Sequence, residues 1–254
     1  MRSGGRPHGS ILNGNLASSR VSSGWKSTYV TLSTDQTPAF LASGNQPLCG
    51  AQSRTRNERR VETGTHLFRE SDEADHVYEI KSGVLRLTRV LENGKRQVIA
   101  FGLPGDIIGF PNGDLHHTDC DVIATAQIVA HRRHALETGE GDPETHQRLL
   151  RAALREIIAM QDHFMMLARK SAMEKVASFL VVLSQRIGTP IGNYTTYPLP
   201  MSRADIADFL GLTVETVSRM LTLLRRQAVI TLETPQTVLV QNMEALIDAS
   251  QADD

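Results

Sequence analysis

The spacing of apolar and polar positions changes twice along this chain. Between residues 60 and 130 the apolar positions come in short runs separated by glycine-containing turns. Val84, Arg86 and Thr88 alternate with Leu85 and Leu87, the period of a half-buried strand. Asn93-Gly94 accepts the positive φ of a type I′ turn, so 84–90 and 97–101 are expected to pair as a hairpin. Shorter strands are expected at 61–62, 65–68, 76–80, 107–110 and 121–129, with turns at Gly64, Ser82-Gly83 and 102–106. Short strands at this spacing predict a small antiparallel barrel or roll over 59–141.

The period then lengthens. Asp142-Pro143-Glu144 reads as a helix start: Asp caps, Pro suits the first turn, and Glu suits the positive end of the helix dipole. Leu150, Ala153, Ile157, Met160, Phe164 and Leu167 follow at steps of 3, 4, 3, 4 and 3, the spacing of a coiled-coil seam. That spacing predicts that a helix over 142–168 pairs with a second copy of itself, although it also fits a helix packed on its own domain. Met160, Met165 and Met166 read as packing residues.

A second helix is expected at 171–187, with Met173, Val176, Ala177, Leu180 and Leu183 on one face and Gly188-Thr189-Pro190 ending it. Beyond it, Ser202 and Asp205 form a plausible N-cap pair, Ala207 permits close helix contact, Gly211 forces a turn, and Thr213 caps another helix. This is the pattern of a helix-turn-helix. The runs 229–233 and 237–240, joined through Thr234-Pro235-Gln236, predict a hairpin behind it, a wing that completes a unit over 169–254.

The second helix of that unit carries specific chemistry. Glu215, Ser218 and Arg219 project from one face near its N-terminus. In a major groove a carboxylate accepts from cytosine N4, a guanidinium donates two bonds to guanine O6 and N7, and serine suits several base edges. Ser202, Arg203, Thr213, Val214 and Thr216 flank this face, and Arg225 and Arg226 are placed to meet phosphates. Read without that context, Glu215 and Arg219 are a solvated helix pair worth ~0.3–0.5 kcal/mol.

Composition narrows the class. The 254 residues carry a net charge of −1, which excludes a globally basic coat, but 1–60 carry +6 and 169–233 carry +3. Residues 1–58 are rich in Ser, Gly, Asn and Thr and lack an apolar period, so a disordered, solvated extension is expected. Only Cys49 and Cys120 are present, which excludes a disulfide scaffold, a zinc ribbon and an all-cysteine cluster within one chain. No run approaches ~18 apolar residues, so no membrane span is expected and a cytoplasmic protein is. There is no P-loop, Gly-x-Ser-x-Gly, His-Glu-x-x-His or dinucleotide fingerprint, so an enzyme is not expected.

A β domain, a pairing helix and a winged helix-turn-helix resemble the CRP/FNR superfamily of bacterial transcription regulators over about residues 60–250. The most specific part is 211–219, where Val214 precedes Glu215-x-x-Ser218-Arg219; this resembles the FNR branch, since the CRP branch usually has Arg and Gly at the positions of Val214 and Ser218. The resemblance implies an α+β chain with a cyclic-nucleotide-binding-like β roll, a long dimerisation helix and a C-terminal winged helix-turn-helix. It implies a homodimer on double-stranded DNA, a palindrome of the TTGAT-N4-ATCAA type, and activation through RNA polymerase.

The family's sensors can be checked against this sequence. Cyclic-nucleotide members carry Gly-Glu and then Arg-Ser in the roll; here Gly109 is followed by Phe110, and the later stretch runs from His116 to Asp121 without Arg-Ser. The iron-sulfur members need an N-terminal cysteine cluster and one cysteine in the roll; here only Cys49 is available, and Ala130 stands at the roll position. What remains resembles the FixK type, with FNR-like reading, no bound cofactor and targets in microaerobic or anaerobic respiration. The alternative is a haem- or metal-binding gas or redox sensor using His116, His117 and Cys120, with His131 and His134.

Overall fold

In a computed structural model, residues 58–138 and 142–251 are described. The expected extension, with Cys49, lies outside them except for Glu58, which already belongs to a strand. No helix among the described residues is long and apolar enough to cross a membrane.

The first unit is a roll of antiparallel strands: β1 (Glu58–Val61), β2 (His66–Phe68), β3 (His76–Val90), β4 (Arg96–Gly102), β5 (Ile107–Ile108) and β6 (Asp119–Arg132). The order is β1-β6-β3-β4, with β2 also on β6 and β5 on β3. The expected turn at Ser82-Gly83 is instead a series of register shifts inside the continuous strand β3, against β6. Gly83 has φ of 87°, and a Cβ there would lie 2.5 Å from Ala126 Cα, so the strand bends where only glycine fits. Phe68, Ile80, Leu85, Val122 and Ile128 fill the inside of the roll.

A short helix, α1 (Arg133–Glu137), leads to α2 (Pro143–Arg169), whose cap Asp142 accepts from the amides of Glu144 and Thr145. Its 27 residues span about 40 Å. One stripe of α2, comprising Leu149, Ala152, Glu156, Ala159, His163 and Met166, turns toward its own domains. On the opposite side Ile157, Met160 and Phe164 are 54%, 60% and 69% exposed. Leu150 and Leu167 are exposed too, whereas Ala153 is half-buried; Leu154, Ile158 and Met165 widen the bare stripe beyond the six positions the spacing picks out.

Only Lys170 and the cap Ser171, both extended, separate α2 from α3 (Ala172–Ile187), and Ser171 with Glu174 forms a capping box. Gly188 ends α3, but the next residues do not stay a loop. Thr189–Ile191 (β7) pairs with Tyr194–Pro198 (β8), and this hairpin joins the wing strands β9 (Ile230–Thr234) and β10 (Thr237–Val240) in the order β7-β8-β10-β9. The helix-turn-helix, α4 (Arg203–Leu210) and α5 (Val214–Arg226), lies between β8 and β9, and α6 (Met243–Asp248) closes the chain.

The two units share a core. Val84, Val98, Phe101 and Leu103 of the roll belong to the same buried cluster as Phe179, Leu183, Phe209 and Leu221. Phe101 meets Phe209 edge-on with centroids 5.2 Å apart, and Phe179 at 6.0 Å. Arg186 of α3 adds a 2.7 Å ion pair to Asp106 in the loop before β5.

Candidate nucleic-acid interface

The sequence builds the turn locally. Ser202 Oγ accepts from the Asp205 amide while the Asp205 carboxylate accepts from the Ser202 amide, which fixes the start of α4. Gly211, at φ of 62°, ends it in the left-handed conformation, and Leu212 N then donates to Ala207 O. Thr213 Oγ1 accepts from the Thr216 amide at 3.2 Å and starts α5.

Helix α5 is held from one side only. Val217, Leu221 and Leu224 are buried in the shared core. The opposite face presents Glu215, Ser218 and Arg219, all exposed, with Val214 at 41% exposure at the leading end. No ion pair joins Glu215 to Arg219, and neither Arg225 nor Arg226 pairs with a carboxylate among the described residues. Thr213, Ser202, Arg225 and Arg226 are exposed around it, while Thr216 and Arg203 are half-buried. Burial lowers the pKa of the Arg203 guanidinium.

Thr222, which the sequence reading passes over, belongs to the same face. It lies seven residues after Glu215, is exposed, and donates from Oγ1 to Ser218 O at 2.8 Å. Its spacing carries that signal, but a threonine on an exposed helix face is chemically unremarkable without the neighbours. The wing stands beside α5: Thr234 and Thr237 hydrogen-bond across its turn at 3.0 Å, and Gln236 O accepts from Leu199 N at 2.7 Å.

The other candidate residues do not converge. His116 is buried and stacks on Phe68 with centroids 3.8 Å apart, His117 is exposed, and Cys120 is 0% exposed in the roll. Burial pushes the Cys120 thiol well above its ordinary range, which opposes a redox role. His131 bonds Glu79 at 3.1 Å, and that bond, with Lys81 and Arg148 nearby, brings the Glu79 carboxyl down to about 2. His134 sits in α1. Among the described residues no three His, Cys, Asp or Glu side chains are placed to hold a metal. His116 and Cys120 are buried in the roll and His117 is exposed, so the three are not gathered into one metal-holding group.

In the roll, Phe110 follows Gly109 and is half-buried, and Asp119 and Asp121 lie at the start of β6. The Asp121 carboxylate is already bound by Arg86 at 2.8 Å. A cavity of about 380 Å³ does lie between α2, β4 and the end of α4, with Glu156, His163 and Phe209 among its walls.

Comparison with known proteins agrees with this architecture. Residues 58–137 match the cyclic nucleotide-binding domain family, and residues 174–249 match the Crp-like helix-turn-helix domain family. The chain is 39% identical over 184 residues to the nitrogen fixation regulation protein FixK of Azorhizobium caulinodans, covering 72% of this chain and 74% of that one. It is 33% identical over 202 residues to the transcriptional activator protein FnrL of Cereibacter sphaeroides, covering 77% and 81%. The structure of FixK2 from Bradyrhizobium japonicum superposes with a TM-score of 0.69 at 32% identity, covering 78% of this chain and 98% of that one. These relatives are regulators and not enzymes. By its roll, its helix-turn-helix and these relatives, the chain belongs to the CRP/FNR family of transcription regulators and is FixK-like.

Proposed function

We propose that this regulator acts as a homodimer, paired along α2, that reads a palindrome of the TTGAT-N4-ATCAA type and contacts RNA polymerase to activate oxygen-responsive genes from the cytoplasm. The observation that carries the reading is the face of α5: Glu215, Ser218 and Arg219 are exposed, mutually unpaired and backed by Val217, Leu221 and Leu224. Arg219 donates to guanine, Glu215 accepts from cytosine and Ser218 reaches a neighbouring base edge. Val214, Thr213 and Thr216 pack the start of the helix against the groove, and Ser202, Arg203, Arg225 and Arg226 hold phosphates. Pairing along the bare stripe of α2 places two such helices on half-sites about one turn of duplex apart. Its activity follows its abundance.

The test is a shift assay on a TTGAT-N4-ATCAA duplex and on a scrambled duplex of equal composition, followed by transcription in vitro. Tight, salt-sensitive binding to the first and weak binding to the second is expected. Equal affinity for both duplexes would remove the operator assignment.

A further inference from the structure

The recognition face belongs to one domain, yet the helix that supports it is gripped by the other. Asp205 in the first turn of α4 is 4% exposed and receives four donors. Its Oδ2 accepts from Ser202 N at 3.1 Å and Ser202 Oγ at 2.6 Å, which is the local cap. Its Oδ1 accepts from Arg86 Nη1 at 2.6 Å and Arg96 Nη2 at 2.7 Å, both from the roll. Arg86 is itself held side-on by Asp121, Nε to Oδ1 at 3.2 Å and Nη2 to Oδ2 at 2.8 Å, so its free edge is aimed before α4 arrives. Arg96 also lies 3.6 Å from Asp208, and Gln97 donates to the Asp208 carbonyl.

We propose, resting on the DNA-reading assignment above, that Asp205 is a positioning residue for that reading: Arg86 and Arg96 of the β3–β4 hairpin hold its carboxylate and so set the direction in which α4 and α5 present the recognition face.

Three physical arguments converge on it. The apolar contact beneath, Phe101 against Phe209, resists separation of the domains but specifies direction poorly, because hydrophobic association is non-directional. Charge-assisted hydrogen bonds do specify direction, and those from Arg86 and Arg96 both end on the buried Asp205 carboxylate. Exposed ion pairs have little weight, but a buried acid stripped of its cations must regain water, and a shift of α4 away from β4 would supply it. The arginines also neutralise acids in the helix whose first turn carries Ser202 and Arg203, where phosphate is expected and uncompensated carboxylates would repel it.

The cap and the interdomain grip use different oxygens, so they can be separated by experiment. Arg96 is the cleaner position, because its partners Asp205 and Asp208 both lie in α4, whereas Arg86 also serves Asp121 within the roll. In the full chain, Arg96→Gln and Arg96→Lys would be compared with wild type by affinity for the palindrome and by thermal unfolding. The distance between spin labels on the roll and on α5 would be measured without DNA. Arg96→Gln is expected to broaden the label distance and weaken palindrome binding about tenfold or more, at temperatures where it is fully folded. Arg96→Lys, which keeps the charge, should recover most of both. An unchanged label distance in Arg96→Gln, or an Arg96→Lys variant as impaired as Arg96→Gln, would overturn the proposal. If wild type itself ignores the palindrome, the operator assignment falls, while the label distances still decide the grip.

Discussion

Glu156 and His163 stand on one face of α2, seven residues apart, and each keeps a buried polar atom, Oε2 and Nδ1, that no described protein group satisfies. His163 stacks on Phe209 with centroids 4.3 Å apart. Burial pushes the Glu156 carboxyl up to about 7, with Asp106 adding to the effect, and pulls His163 down to about 4. Both groups are therefore neutral in the folded protein near pH 5.5.

Their effects on stability have opposite signs. Folded Glu156 keeps a proton that the unfolded chain loses from about 4.5 upward, so its contribution falls as pH rises toward about 7. Folded His163 lacks a proton that the unfolded chain holds below about 6.5, so its contribution falls as pH drops toward about 4. The two slopes offset each other between them. Glu156→Gln should leave a urea midpoint that climbs from pH 4 to 6.5, and should add up to about 3 kcal/mol at pH 8. His163→Phe should leave one that falls over the same window. Denaturation curves across pH check this, and parallel profiles for all three proteins would refute it.

Arg219→Ala should remove sequence-specific binding and leave weak, salt-dependent association, because the base edge loses its two donors. Glu215→Ala should relax discrimination at one base pair by about 1–3 kcal/mol. Selection from a randomised duplex pool reads both, and an unchanged logo for Glu215→Ala would remove its assigned role.

Phe164→Asp and Ile157→Asp alter side chains that are largely exposed on the single chain, so the fold should persist. Each should yield monomers by placing like charges in the stripe proposed to pair. Sedimentation that still finds dimers in both variants would move the interface elsewhere.

Gly83→Ala should destabilise the roll by about 2–4 kcal/mol, since the added carbon meets backbone of β6 while φ is 87°. A melting temperature equal to wild type would mean that the bend relaxes freely.

The helix-turn-helix is legible in sequence because its signals act within a turn: Ser202 on Asp205, Gly211 on the chain behind it, Thr213 on Thr216. The bend at Gly83 is not, because a glycine beside a serine signals a turn unless the facing strand is known. The hairpin β7–β8 escapes because Pro190 argues against a strand, yet β7 is an exposed edge, where a proline costs no ladder bond. The width of the α2 stripe is only half visible: a heptad template selects Ala153, while the structure exposes Leu154 and Ile158. Asp205 reads as a cap and nothing more, since its arginine partners are 119 and 109 residues away.

The core shared by the two units also bears on how regulators of this architecture can exchange parts. Val98, Phe101 and Leu103 sit in the sequence of the roll but in the interior of the DNA-reading unit. A recombination point placed between α2 and α3 would graft a reading head onto a stranger's aromatic contacts and a stranger's arginines. Swaps that preserve function should therefore carry residues 84–103 along with the head, and natural hybrids should show these two distant segments inherited together.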